Sequence, residues 1–120
     1  MVWYGLEKTN PLVSNKRGIM RETGRNGFQY QMIKRLEREF PGCIVLKNDP
    51  QWIGGIPDLL LLWGDKWAAL ETKAQSRSAR RPNQPYYVDR MGRMSYANFV
   101  SPDNVEEVID EIHRSFRSSR

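Results

Sequence analysis

The stretch Gly54-Gly55-Ile56-Pro57-Asp58-Leu59-Leu60-Leu61-Leu62, followed by Trp63-Gly64-Asp65-Lys66 and then Ala68-Ala69-Leu70-Glu71-Thr72-Lys73, decides the fold. Four leucines in an unbroken run read as a strand buried on both faces, and the Gly64-Asp65 pair turns the chain back along it. Two neighbouring strands are predicted. Side chains alternate along a strand, so Glu71 and Lys73 share one face, Thr72 points to the other, and Asp58 enters at the start of the adjacent strand. Two carboxylates and an ammonium are thus expected at one end of an apolar sheet. Burying charge there is costly unless a partner neutralises it, and this set suits a hard divalent cation with its waters.

Upstream, Phe28, Met32, Leu36 and Phe40 recur every fourth residue with Ile33 beside them, while Lys34, Arg35, Glu37, Arg38 and Glu39 take the other side. That is an amphipathic helix, opened by an Asn26/Gln29 capping box and closed by Pro41-Gly42. Cys43-Ile44-Val45-Leu46 reads as the first strand, with Cys43 a small core hydrophobe. Downstream of Lys73, Ala74 to Pro82 is polar and basic, a loop leaving the charged end of the third strand. Asn83 is expected to cap a helix through about Met91, with Tyr87, Val88 and Met91 facing the sheet and Gln84 one turn before Tyr87. Met94 to Val100 supplies another strand. A last amphipathic helix carries Val105, Val108, Ile109, Ile112 and Phe116, with His113 beside that stripe in a structural role. The order helix, three strands, helix, strand, helix predicts an α/β fold with a mixed sheet flanked by helices.

Pro57-Asp58 followed by Glu71-Thr72-Lys73 resembles the signature of the PD-(D/E)XK nuclease superfamily. The Gly55-Ile56-Pro57-Asp58 form, together with Gln84-Pro85-Tyr86-Tyr87 as a Gln-x-x-Tyr pattern, is similar to its VRR-NUC branch, in particular to small stand-alone phage-type members. The similarity runs from about Glu22 to Ile112. It implies a restriction-endonuclease-like αβββαβ core. It also implies an Mg²⁺-dependent (or Mn²⁺-dependent) DNA endonuclease whose one or two ions are held by Asp58, Glu71 and the main-chain carbonyl of Thr72. Lys73 would then orient or deprotonate a water. The family uses a glutamate near the start of the first helix, and Glu22 is the match, although Gly24-Arg25-Asn26-Gly27 separates it from the apolar stripe. Gln84 and Tyr87 fall near the catalytic centre by the same resemblance; a capping amide and a core tyrosine are the plain alternatives. Stand-alone members resemble junction-resolving enzymes that act as homodimers on branched DNA or four-way junctions.

Length and charge agree with this frame. At 120 residues the chain is one domain, read as an arm over 1–21 and a nuclease domain over 22–120. No apolar run approaches a membrane span, and no leader pattern opens the chain, so an intracellular protein without a membrane partner is expected. One cysteine and one histidine leave no internal disulfide and no zinc-ligand cluster. Net charge is +5. Between Lys66 and Arg93 seven basic residues (Lys66, Lys73, Arg77, Arg80, Arg81, Arg90, Arg93) stand against Glu71 and Asp89, a local excess of five. A polyanion is the natural partner, with Arg77, Arg80, Arg81 and Lys66 as its contacts; a solvated basic face, or a basic module that binds nucleic acid without cutting it, is the alternative.

Overall fold

A computed structural model describes residues 27–49, 51–74 and 84–118. The elements run α1 (Phe28–Glu39), β1 (Ile44–Lys47), β2 (Leu59–Trp63), β3 (Lys66–Thr72), α2 (Gln84–Met94), β4 (Tyr96–Val100) and α3 (Val105–Arg117). This is the anticipated order. The four strands form one mixed sheet in the order β1-β2-β3-β4. Pairing is antiparallel from β1 to β3 and parallel between β3 and β4. A parallel pair cannot be closed by a hairpin, and α2 is the element in its crossover.

The Leu59–Trp63 run folds back where Gly64 takes φ +63°, a left-handed conformation that costs glycine little. Leu59 pairs with Leu70 and Leu61 with Ala68. These four are buried in one cluster with Phe28, Met32 and Leu36 of α1 and with Val108, Ile109 and Ile112 of α3. Both helices therefore cover the same face of the sheet. Their polar sides are joined as well. Arg35 donates to both oxygens of Glu106 at 2.7 and 2.8 Å, and its Nε donates to Glu39 at 3.0 Å. The other Glu39 oxygen meets His113 Nε2 at 2.9 Å, and the His113 ring lies 4.6 Å from that of Phe40.

Among the described residues the opposite face is covered only in part. Ala69 pairs with Ala97, and α2 packs on β3 and β4 with Gly92 against Ala97. Strand β1 is an edge beyond its reach, so Ile44 and Leu46 remain 57% and 43% exposed while Val45 packs on the core. Strand β1 also begins one residue later than expected. Cys43 sits just before it, half-buried, and burial pushes its thiol pKa up, as suits a packing role. Gly27, not Asn26, is the N-cap of α1, and having no side chain it makes no cap bond, while Gln29 is engaged by Asp58 instead of closing a capping box. Among the described residues no helix is long and apolar enough to cross a membrane.

Candidate active site

Strands β2 and β3 meet at one end of the sheet. Leu59 faces Leu70, so Asp58 stands one residue before β2, level with Glu71. Its main chain is held there by the Asn48 amide, which donates to the Asp58 carbonyl at 2.9 Å, while Asn48 Nδ2 donates to the Pro57 carbonyl at 2.7 Å. The carboxylate is fixed by three further bonds. Thr72 N donates to Oδ1 at 3.0 Å, Thr72 Oγ1 donates to Oδ2 at 2.6 Å, and Gln29 Nε2 from the first turn of α1 donates to Oδ2 at 2.8 Å. Burial raises the pKa of Asp58 above the ordinary aspartate value, and the bonds from Thr72 and Gln29 work against that rise without cancelling it.

A second cluster occupies the other side of the same strand end. Glu71, Lys73 and Gln84 are all buried, at 6%, 7% and 7% exposure. Lys73 lies one residue past β3, and its N–H donates to the Val100 carbonyl at 2.8 Å, extending the parallel pairing with β4. Gln84 opens α2 and bridges the pair. Its Nε2 donates to Glu71 Oε2 at 2.6 Å, its Oε1 accepts from Lys73 Nζ at 2.9 Å, and Nζ lies 3.8 Å from Glu71 Oε2. The two clusters are joined through Thr72, whose amide sits between Glu71 and Lys73 in the chain and donates to Asp58.

Glu71, Lys73 and Gln84 are thus brought into direct contact, and Asp58 is anchored to the residue between the first two. Asp58 does not simply line up beside Glu71 as strand alternation suggests, because it lies outside the ladder and its carboxylate follows the available donors toward Thr72 and α1. Tyr87 is half-buried on α2, its ring 4.9 Å from that of Tyr86 in an edge arrangement. Lys66 opens β3 and Thr72 closes it. Lys66 is consequently at the opposite end of β3 from the acids, about 20 Å away at ~3.3 Å per residue. Glu22, Arg77, Arg80, Arg81 and the 1–21 arm lie outside the described residues.

Gln29 is a site residue that pattern reading assigned to helix capping. Its signal was a polar side chain three residues before Met32 on the buried stripe, where only a partnered amide is tolerated. The donor set fits a hard cation. A carboxylate offers about four lone-pair positions. Three of those on Asp58 accept from Thr72 and Gln29, and the residue's own backbone bonds the carboxyl as well. A buried carboxylate whose charge is disfavoured by desolvation is also the group that a neighbouring cation most relieves. Among the described residues no three His, Cys, Asp or Glu side chains gather, so Asp58 and Glu71 are the acids available, with main-chain oxygen and water to complete a coordination shell.

An αβββαβ core with an aspartate entering one central strand and Glu-x-Lys closing the next is the nuclease fold of the PD-(D/E)XK superfamily. A solved structure described as a VRR_NUC domain is similar to this chain with a TM-score of 0.56 at 25% identity, covering 68% of this chain and 89% of that one. The chain therefore carries a VRR-NUC-like nuclease fold. Neither a family model nor a curated protein matches the sequence.

Proposed function

We propose that this protein is a divalent-cation-dependent endonuclease that hydrolyses DNA phosphodiester bonds. The observation that carries the reading is the strand-end cluster, with Glu71 and Lys73 3.8 Å apart, bridged by Gln84, and Asp58 tied to the intervening Thr72. Asp58, Glu71 and the Thr72 carbonyl would hold one or two Mg²⁺ or Mn²⁺ ions. When bound, such an ion supplies an acidified water and neutralises charge on the phosphate. The protein's own groups do the rest. Asp58 is kept in place by Thr72 and Gln29. Gln84 holds Glu71 and Lys73 in register with each other, so the ammonium stays at the carboxylate instead of extending into solvent. Lys73 orients the attacking water and adds positive charge toward the phosphate. The water oxygen bonds to phosphorus, the bridging P–O bond breaks, and the leaving oxygen takes up a proton. By the family resemblance Glu22 would be a further acid for the same centre, and Arg77, Arg80 and Arg81, a few residues beyond Lys73 in sequence, would grip the backbone through bidentate pairs with phosphate oxygens.

The resemblance to stand-alone phage-type members favours branched DNA or a four-way junction as substrate, cut by a homodimer. Incubation with a four-way junction, a flap and a linear duplex in Mg²⁺, beside Asp58→Asn and Lys73→Met, tests this. Metal-dependent cutting lost in both variants is the expected result, and a mass measurement in solution checks the dimer. Tight binding to all three DNAs with no cutting by the natural protein would instead identify a non-catalytic nucleic-acid-binding module.

A further inference from the structure

Trp52 is the most exposed large apolar residue described, with 85% of its surface open to solvent, and Ile53 beside it is 37% exposed. They lie in the connection between β1 and β2. That connection leaves the sheet at the end where Asp58 enters β2, and at most about 20 Å of chain separates Trp52 from Asp58. Its conformation is specified by several bonds. Gln51 N donates to Asp49 Oδ1 at 2.9 Å, Trp52 N to the Asp49 carbonyl at 3.3 Å, and Ile56 N to the Ile53 carbonyl at 3.4 Å. Gly55 takes φ +89°, and Asn48 clamps both Pro57 and Asp58. An indole with no ring partner among the described residues is therefore carried on a hydrogen-bonded loop at the end of the sheet where Asp58 stands.

We infer that Trp52 is a stacking platform for an unstacked nucleobase next to the scissile phosphate. Resting on the nuclease reading for its identity as a DNA contact, this names the substrate class: DNA with an unpaired or splayed nucleotide at the cut. An aromatic face gains from a base only when that base offers a free face of its own, and in a continuous duplex both faces are already occupied by neighbours. In sequence, Lys73 at this end of the sheet is followed by Arg77, Arg80 and Arg81, and the chain's positive charge suits a polyanion. A second copy of the chain is the competing occupant. The loop's place at the same end of the sheet as Asp58, together with the chain's net charge of +5, favours the nucleic acid.

The test measures binding of the natural protein, Trp52→Ala and Trp52→Tyr to a splayed fork and to a continuous duplex of the same length, by fluorescence anisotropy in EDTA. Stacking on one base predicts that the fork-to-duplex affinity ratio falls about 5- to 150-fold in Trp52→Ala and is largely restored in Trp52→Tyr. An unchanged ratio overturns the inference, as does an equal loss on both DNAs accompanied by a change in mass in solution, which would place Trp52 in a contact between copies. Cutting assays on both DNAs in Mg²⁺ run alongside. Failure of the natural protein to cut either one would sink the nuclease reading and leave the stacking result to be judged on binding alone.

Discussion

Asp58 is a carboxylate that folding makes harder to ionise, since burial disfavours its charge more than Thr72 and Gln29 favour it. An acid with a folded-state pKa above its unfolded value binds more protons when folded. Its contribution to stability is then fully present below about 3.8 and is lost as pH rises through the higher folded value. At neutral pH the ionised site works against the fold, and a bound cation offsets that. Asp58→Asn is accordingly expected to melt a few degrees higher than the natural protein at pH 7.5 without metal, because the Thr72 hydroxyl and the Gln29 amide can each turn to accept from the new NH₂. Cleavage should fall by about 10²- to 10⁴-fold. Added Mg²⁺ should raise the melting temperature of the natural protein and leave the variant unmoved; calorimetry with and without metal reads both. Gln29→Leu acts on the same group in the other direction. It removes a bond that favours the ionised form, so the acid limb of the kcat/KM profile should move to higher pH, with activity recovering at alkaline pH. An unshifted limb with uniformly lower activity would mean that Gln29 only fills space.

The helices were legible because their constraint is local. Phe28, Met32, Leu36 and Phe40 repeat at a helical period, and all four are buried to 2% exposure or less. Leu36→Ala, at the centre of that stripe, should cost about 2–5 kcal/mol in urea unfolding. The Leu59–Leu62 run and the Gly64-Asp65 turn were legible for the same reason: run length and turn chemistry sit within a few residues. Three features were not. Which strand forms the edge depends on where the α2 crossover lands, so nothing in Cys43-Ile44-Val45-Leu46 announced that Ile44 and Leu46 stay open. The direction of Asp58 is set by donors on β3 and α1, beyond the reach of strand alternation. The Arg35–Glu106 pair spans 71 positions, and local pattern pairs Arg35 only with Glu39. That clamp titrates with a sign opposite to Asp58. The bond to His113, followed by that from Arg35, holds Glu39 below the usual glutamate value. Its share of stability is therefore present above about 4.5 and is lost as pH falls through the lower folded value. Glu39→Gln should remove that part of the acid-side slope of unfolding free energy between pH 5 and 2 without altering cleavage at neutral pH, which separates the α1–α3 clamp from the catalytic end.

Over the whole molecule, charge is sorted by element. Two acids of the C-terminal part have partners within the chain: Glu106 pairs with Arg35, and Glu111 accepts from the Tyr96 hydroxyl at 2.5 Å. Arg77, Arg80 and Arg81, which follow Lys73, have no acid near them in sequence before Asp89, which pairs with Arg93. The proposed DNA is thus expected at the strand end that carries Asp58, Glu71 and Lys73, and not on the α1–α3 side. Each phosphate neutralised by Lys or Arg contributes roughly 0.9 to the slope of log K against log salt on duplex DNA. Replacing Arg77, Arg80 and Arg81 together by Ala should flatten that slope by roughly 0.9 for each arginine that reaches a phosphate, and weaken binding to all sequences alike. The melting temperature should stay where it is. Glu107→Gln with Asp110→Asn changes the net charge by +2 on α3, where no phosphate is expected to lie, against −3 for the arginine set, and should leave the slope unchanged. If both sets moved the slope in proportion to their changes in net charge, DNA would be sensing the net charge of the molecule alone, and the end of the sheet would have no special claim on it.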